Sequence, residues 1–431
     1  MSGFSITYII IAAILLLYSV KHRLDLLCVA TVCFIVYSIY CVPGIGISGF
    51  YRPKLSASLY YAVFTQMLLI IVFVSLSRYL SKNRDTRLVI HNNSNTGKKK
   101  SNSDKALKIS FRIYTFIILC FAMVNIASVG FSGFAAGKNT VWEQTNVFYV
   151  ISLYGAWPSF AYGIHKKDKV VWGTSLFVEL TIFFAGARAF VTTLIVIYLC
   201  EKGTELWKNR KSHMRIYILG ALGIVFLLLY RMVDTHIMSG DFSGAINVLS
   251  NMDTWTTALE FNEPRVIIAN YDYSFTSGIN LPVGDVIYRI IDFVPGLTTL
   301  FEINLQYPEY YSTWLEEQVH GSAGVGGSIW GESYAMMGYF GILLSTILWL
   351  SFINKCNKHL DYHANHSYFV VALGTYWAWY INRLDFNRVG QSFKVMLFCF
   401  LIWAVIYLAL VGTLTIGRLR IKFGNIKYIN E

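Results

Sequence analysis

The chain has 431 residues, of which 55% are hydrophobic and only 14% charged; its mean hydropathy is +0.50 and its formal net charge +12. That composition excludes an ordinary soluble domain, in which about 25% of residues are charged. The positive charge does not point to nucleic acid, because Lys and Arg gather in short loops between apolar runs, the positive-inside pattern of a polytopic membrane protein.

Apolar runs of ~17–25 residues are long enough to cross a bilayer as helices. They predict an all-α polytopic integral membrane protein with about eleven transmembrane helices. The spans are centred in 4–20, 24–42, 57–77, 111–130, 146–163, 170–185, 188–200, 216–233, 333–353, 367–381 and 393–413. The first run has no basic stretch before it and no small-residue cleavage site after it, so it reads as a retained span. The seven cysteines lie in or beside apolar runs, which argues against a disulfide framework.

Residues 1–233 hold the first eight spans. Within them, residues near 81–108 carry a basic, Asn- and Ser-rich stretch (His91-Asn-Asn-Ser-Asn-Thr-Gly-Lys-Lys-Lys) with no apolar periodicity. It reads as a disordered cytoplasmic linker, either a plain solvated loop or one drawn to anionic lipid. Both flanks of residues 170–200 are basic and belong inside. Two short spans joined by a hairpin at Ala185-Gly-Ala-Arg-Ala satisfy that parity and carry Arg188 to the outer end. An ionisable residue at that depth is a functional candidate; snorkelling to headgroups or pairing with Glu179 are its structural roles.

Residues 234–332 form the one long loop, expected on the periplasmic side. It holds thirteen Asp and Glu against two arginines, Arg265 and Arg289. The apolar residues following Asp285 (Val286, Ile287, Ile290, Ile291, Val294, Leu297, Leu300) recur at helical spacing, which predicts a short amphipathic helix on the membrane surface, kinked near Pro295. The loop's tryptophans and tyrosines suit sugar rings and equally the membrane interface. It ends in a glycine-rich run from His320 through Gly326, Gly327 and Glu332 to Gly341, which feeds the start of the ninth span. Such glycines allow close backbone approach to an anion at a helix N-terminus, and also close helix packing.

Residues 333–431 hold spans nine to eleven and a basic cytoplasmic tail, with Arg383 and Arg388 between the last two spans. Inner loops account for 26 of the 36 Lys and Arg; the remaining ten, Arg231 among them, map to the outer side or to outer ends of spans. Arginine's planar fork suits phosphate oxygens. No HExxH, CxxC or outer Asp-x-Asp motif is present, so neither a metal nor another cofactor is expected.

Three features resemble the O-antigen polymerase family, the Wzy-type oligosaccharide repeat-unit polymerases of bacterial inner membranes. They are Gly186-Ala-Arg188, the run ending Gly331-Glu332-Ser-Tyr334 with Gly338 and Gly341, and Arg383 with Arg388. The resemblance implies transfer of a growing glycan from undecaprenyl pyrophosphate to an incoming lipid-linked repeat unit, without a metal. It implies as partners the undecaprenyl-pyrophosphate-linked oligosaccharide, membrane lipids and a chain-length regulator protein, and no nucleic acid. Arg188, Glu332 and His320 are then the candidate catalytic residues, with Arg265, Arg289, Arg383, Arg388, Arg231, Gly326 and Gly327 binding substrate. Glu332 also reads as a helix-terminal charge, and His320 as a surface imidazole. An O-antigen ligase, or a flippase or transporter, is the alternative. This chain has only one long outer loop, so a two-loop division of donor and acceptor of the kind described for relatives is not expected to carry over.

Overall fold

A computed structural model describes residues 3–21, 24–42, 55–88, 97–135, 146–184, 188–208, 218, 233, 236, 240–253, 263–319, 326–362 and 364–426. Every regular element among them is helical. In chain order the α-helices are α1 (Gly3–Lys21), α2 (Leu26–Ser38), α3 (Ala57–Leu88), α4 (Gly97–Ala135), α5 (Val147–Lys166), α6 (Lys169–Phe184), α7 (Arg188–Lys208) and α8 (Phe242–Ser250). There follow α9 (Glu263–Thr276), α10 (Val283–Ile291), α11 (Leu297–Phe301), α12 (Tyr311–Val319), α13 (Ile329–Asn357), α14 (Ser367–Tyr380) and α15 (Phe386–Ile426).

Among the described residues, five stretches are long and apolar enough to cross a membrane: Ala57–Tyr79, Asp104–Gly130, Val147–Lys166, Ile329–Asn357 and Phe386–Gly412. The expected spans at 4–20 and 24–42 correspond to shorter apolar helices, and those at 170–185 and 188–200 to α6 and α7. The hairpin apex 185–187 and all but residues 218 and 233 of the eighth span lie outside the described residues. The stretch near 81–108, expected as an unstructured linker, is helical over 81–88 and 97–108, while 89–96 lie outside the described residues.

The chain divides into two compact units. The first comprises residues 1–81, 195–361 and 370–394. Here α13 packs against α2 and α9. One end is tied by Asp25, which caps α2 by accepting from the Cys28 amide. The same carboxylate meets Arg78 at 2.6 Å and accepts from Asn357 Nδ2 at 2.8 Å. Three helices therefore converge on one buried charge, both of whose oxygens meet donors. Further along, Gln66 donates to Thr346 Oγ1 and accepts from Tyr271.

Helix α13 is not continuous. Met337 and Gly338 leave helical geometry, and Gly338 adopts φ +61, a conformation that costs glycine no Cβ clash. The break separates a short arm, 329–336, from a long arm, 339–357, that is ~28 Å long at ~1.5 Å per residue. The arms fold together closely enough for Ser333 Oγ to donate to Ser345 Oγ at 2.8 Å. The short arm is capped by Ser328, whose side chain accepts from the Gly331 amide.

The second unit comprises residues 82–194, 362–369 and 395–431, with α4, α5 and α6 packed on one another. Gly155 leaves room for Ile118 of α4, and Gly163 leaves room for the Trp172 backbone of α6; small residues at crossings let membrane helices approach in this way. Phe111 stacks on Tyr162 at 4.1 Å, edge-on to Tyr368, and Trp403 of α15 donates to Ser110 Oγ. Glu179 is fully buried within α6 of this unit.

Candidate active site

The long acidic loop and the Gly-rich run meet in the first unit. The predicted amphipathic helix is present as α10, and the chain breaks around Pro295 before α11. Its orientation is opposite to that of a soluble surface helix. Val283, Ile287 and Ile290 are exposed, whereas Asp285 and Arg289, one turn apart, are buried. The polar face is turned inward because it has work there. Asp285 accepts from the Gln306 and Tyr307 amides at 3.0 and 2.9 Å, pinning the stretch that follows α11.

Arg289 is the centre of this arrangement. Its Nε donates to Glu332 Oε1 at 2.6 Å, and its two other nitrogens donate to the carbonyls of Asp285 and Pro308. The second carboxylate oxygen of Glu332 accepts from the Phe386 amide at 2.6 Å. Side-chain exposure is 1% for Arg289 and 0% for Glu332. A buried pair of this kind is tolerated only when its remaining donors and acceptors are satisfied, and here they are. Loop helix α10, the short arm of α13 and the start of α15 are joined through these two side chains.

The glycines do what their spacing suggested. Gly326 sits at φ +72, and an added Cβ would lie 3.1 Å from Ile267 and 3.3 Å from Arg383. At Gly327 the Cβ would lie 3.1 Å from the Asp385 Cβ and amide. The carbonyl of Gly326 accepts from Asn270 Nδ2 at 2.8 Å, and Trp330 Nε1 donates to Asn382 Oδ1. The Gly-rich run is thereby laid directly along the segment Asn382–Arg388.

Three cations of this unit, on or after that segment, retain access to solvent. Arg383, on the short 3₁₀ helix Ile381–Arg383, pairs with Glu263 and lies over the Tyr380 ring at 5.7 Å. Glu263 also accepts from the Tyr37 hydroxyl at 2.7 Å and keeps 31% of its side chain exposed. Arg388 is 3.8 Å from Asp385, 45% exposed, and 5.8 Å above the Tyr310 ring. Asp385 is buried and accepts from Ser312 Oγ at 3.0 Å and the Arg388 amide. Lys394 donates to Asp292 at 2.7 Å. Burial, with the nearby carboxylates of Glu309 and Asp385, pushes the Tyr310 phenol above its ordinary value, while Arg388 opposes that shift.

Of the residues singled out in the sequence, the structure brings together Gly326, Gly327, Arg289, Glu332, Arg383 and Arg388. Arg265 is buried on α9, two residues after Glu263. Arg188 belongs to the second unit, where it opens α7 and accepts, through its carbonyl, from Thr192 Oγ1. His320 and Arg231 lie outside the described residues. Glu263 and Asp385 were missed by sequence reasoning, whereas Tyr310 was among the loop tyrosines read as faces for sugar rings. Asp385 stands between the two arginines in the run Asn382-Arg-Leu-Asp-Phe-Asn-Arg, which was the available signal; nothing in the sequence links Glu263 to a residue 120 positions away. Among the described residues, no group of three or more His, Cys, Asp or Glu side chains is gathered as metal ligands would be. No protein family, curated protein or solved structure matches the chain.

Proposed function

We propose that this protein is an O-antigen polymerase of a bacterial inner membrane, with its long loop facing the periplasm. It transfers a growing glycan from undecaprenyl pyrophosphate to an incoming lipid-linked repeat unit. The observation that carries this reading is the partly exposed pair Arg383 and Arg388, tied to the Gly326–Gly327 run by the contact of Arg383 with Gly326 and of Asp385, the partner of Arg388, with Gly327. Cations in that setting suit a pyrophosphate, whose negative charge grows as the glycosyl bond breaks.

In the reaction, an acceptor hydroxyl oxygen attacks the anomeric carbon, and the bond from that carbon to the phosphate oxygen breaks. The pyrophosphate leaves with the electron pair. Arg388 and Arg383 stabilise it, their forks held ready by Asp385 and Glu263. The hydroxyl proton passes to a carboxylate. Glu263 suits that task because its side chain reaches solvent beside Arg383. Glu332 enters the proposal as a positioning residue, since its side chain is fully buried with both oxygens engaged, whereas Glu263 keeps 31% of its side chain exposed. Arg188 and His320 enter it from the sequence alone. Tyr310, stacked beneath Arg388, offers a face for a sugar ring.

The test is the lipopolysaccharide banding of a strain lacking the gene. A single repeat unit on each core supports polymerisation. Cores with no repeat unit overturn it in favour of a ligase or flippase.

A further inference from the structure

The second unit contains a cavity that the polymerase reading does not use. It has a volume of about 480 Å³ and lies where α5 ends and α6 begins, beside residues 104–112 of α4. The candidate span on α4 begins at Asp104 and that on α5 ends at Lys166, so the cavity lies at one end of both candidate spans, where headgroups meet a helix that crosses a bilayer. Its lining carries five cations, Lys108, Arg112, Lys166, Lys167 and Lys169, against two carboxylates, Asp104 and Asp168.

One of those carboxylates is already committed. Arg112 donates from Nε to Asp168 Oδ2 at 3.0 Å and from a terminal nitrogen to Oδ1 at 3.4 Å. Asp168 also accepts from the Val170 amide, so it closes the start of α6 while orienting the arginine. The turn between α5 and α6 is tight. Lys167 adopts φ +56, and the Asp168 amide donates back to the Gly163 carbonyl at 2.9 Å. That geometry gathers Lys166, Lys167 and Lys169 at one corner, above a floor of buried Leu107 and Tyr162. Beside the cavity, Ile109, Ile113 and Phe116 are exposed on α4, at a spacing that forms one stripe of the helix.

We propose that this cavity binds the phosphate group of an anionic phospholipid, with the acyl chains running along the Ile109–Ile113–Phe116 stripe. An excess of three cations over carboxylates selects an anion, and a basic pocket between membrane helices is a headgroup site by the same electrostatics that draw polybasic segments to anionic lipid. The neighbouring apolar stripe favours a lipid over free phosphate. The proposal is independent of the polymerase reading, because every residue in it belongs to the second unit.

Native mass spectrometry of the purified full chain tests it, with phosphatidylglycerol, phosphatidylcholine or inorganic phosphate added in turn. The expected result is selective retention of phosphatidylglycerol. Each lysine contributes roughly fivefold, so the triple variant Lys166→Gln/Lys167→Gln/Lys169→Gln weakens retention on the order of a hundredfold. The matching triple Lys→Arg variant, which keeps the charge, retains the lipid and controls for folding. Inorganic phosphate that displaces the lipid at equal concentration overturns the lipid assignment and leaves a soluble-anion site. Equal retention of phosphatidylglycerol by the wild type and the Gln triple, or no discrimination against phosphatidylcholine, overturns the site altogether.

Discussion

Replacing Glu332 with alanine removes one half of the buried pair that joins α10, α13 and α15. Arg289 then keeps only the Asp285 and Pro308 carbonyls, with the Asp285 carboxylate 4.0 Å away. Breaking a buried ion pair from one side costs about 3–5 kcal/mol, and the orphaned Phe386 amide adds about 1 kcal/mol. Against a total stability of about 5–15 kcal/mol, that is a large fraction, and a marked fall in melting temperature is expected. Glu332→Gln preserves an acceptor for the amide but not the charge, so its cost is smaller. The double variant Arg289→Met/Glu332→Leu removes both charges and is expected to recover much of the loss, because apolar side chains of similar volume often replace buried pairs at little cost. The assay is thermal unfolding of each detergent-purified variant, alongside its membrane level and glycan ladder. An Glu332→Ala protein with a wild-type melting temperature and no polymer would refute this reasoning, since it would make Glu332 a reacting group and not a support.

Other substitutions separate binding from scaffolding. Arg388→Ala is expected to lower the polymerisation rate on the order of a hundredfold, with Arg388→Lys only partly restoring it, because one ammonium cannot reproduce two parallel hydrogen bonds; in vitro rates at matched protein levels check this. The same Ala and Lys pair at Arg188 tests its sequence-based role, and normal ladders from both variants would remove it from the mechanism. Gly327→Ala drives a methyl against Asp385 and is expected to cost about 1–3 kcal/mol, whereas Gly412→Ala, with nothing within 4 Å, is expected to be neutral in the same melts. Burial works against the charge on Asp168, but Arg112 outweighs it and holds the carboxyl below its ordinary value of 3.8. The pair therefore stabilises the fold above that value and loses its effect as pH falls through the depressed folded value. The melting-temperature gap between wild type and Asp168→Asn should close on acidification below 3.8, and a constant gap would contradict the pairing.

The helical, membrane-type character was legible because spans announce themselves by length and hydropathy, and α3, α4, α5, α13 and α15 all contain stretches near the expected positions. The amphipathic period of α10 was legible too, but not which face points inward. That depends on the Gln306 and Tyr307 amides and on Glu332, none of which is a sequence neighbour of the helix. For the same reason Arg289 read as a substrate-binding candidate on the outer loop, and its pairing with a buried carboxylate 43 residues away was not legible. The break at Met337–Gly338 was hidden inside an apolar run, where a glycine reads equally as a packing residue. The proximity of the Gly-rich run to the Arg383–Arg388 segment is a tertiary fact; the sequence supplied both pieces but no measure of the distance between them.

Purified protein in lipid vesicles, supplied only with an undecaprenyl-pyrophosphate-linked repeat unit, tests the central claim most directly. The account predicts oligomers of two or more repeat units that remain lipid-linked, with one undecaprenyl pyrophosphate released for each glycosidic bond formed. Repeat units that stay single, with no undecaprenyl pyrophosphate released by protein whose folding is verified, would contradict it.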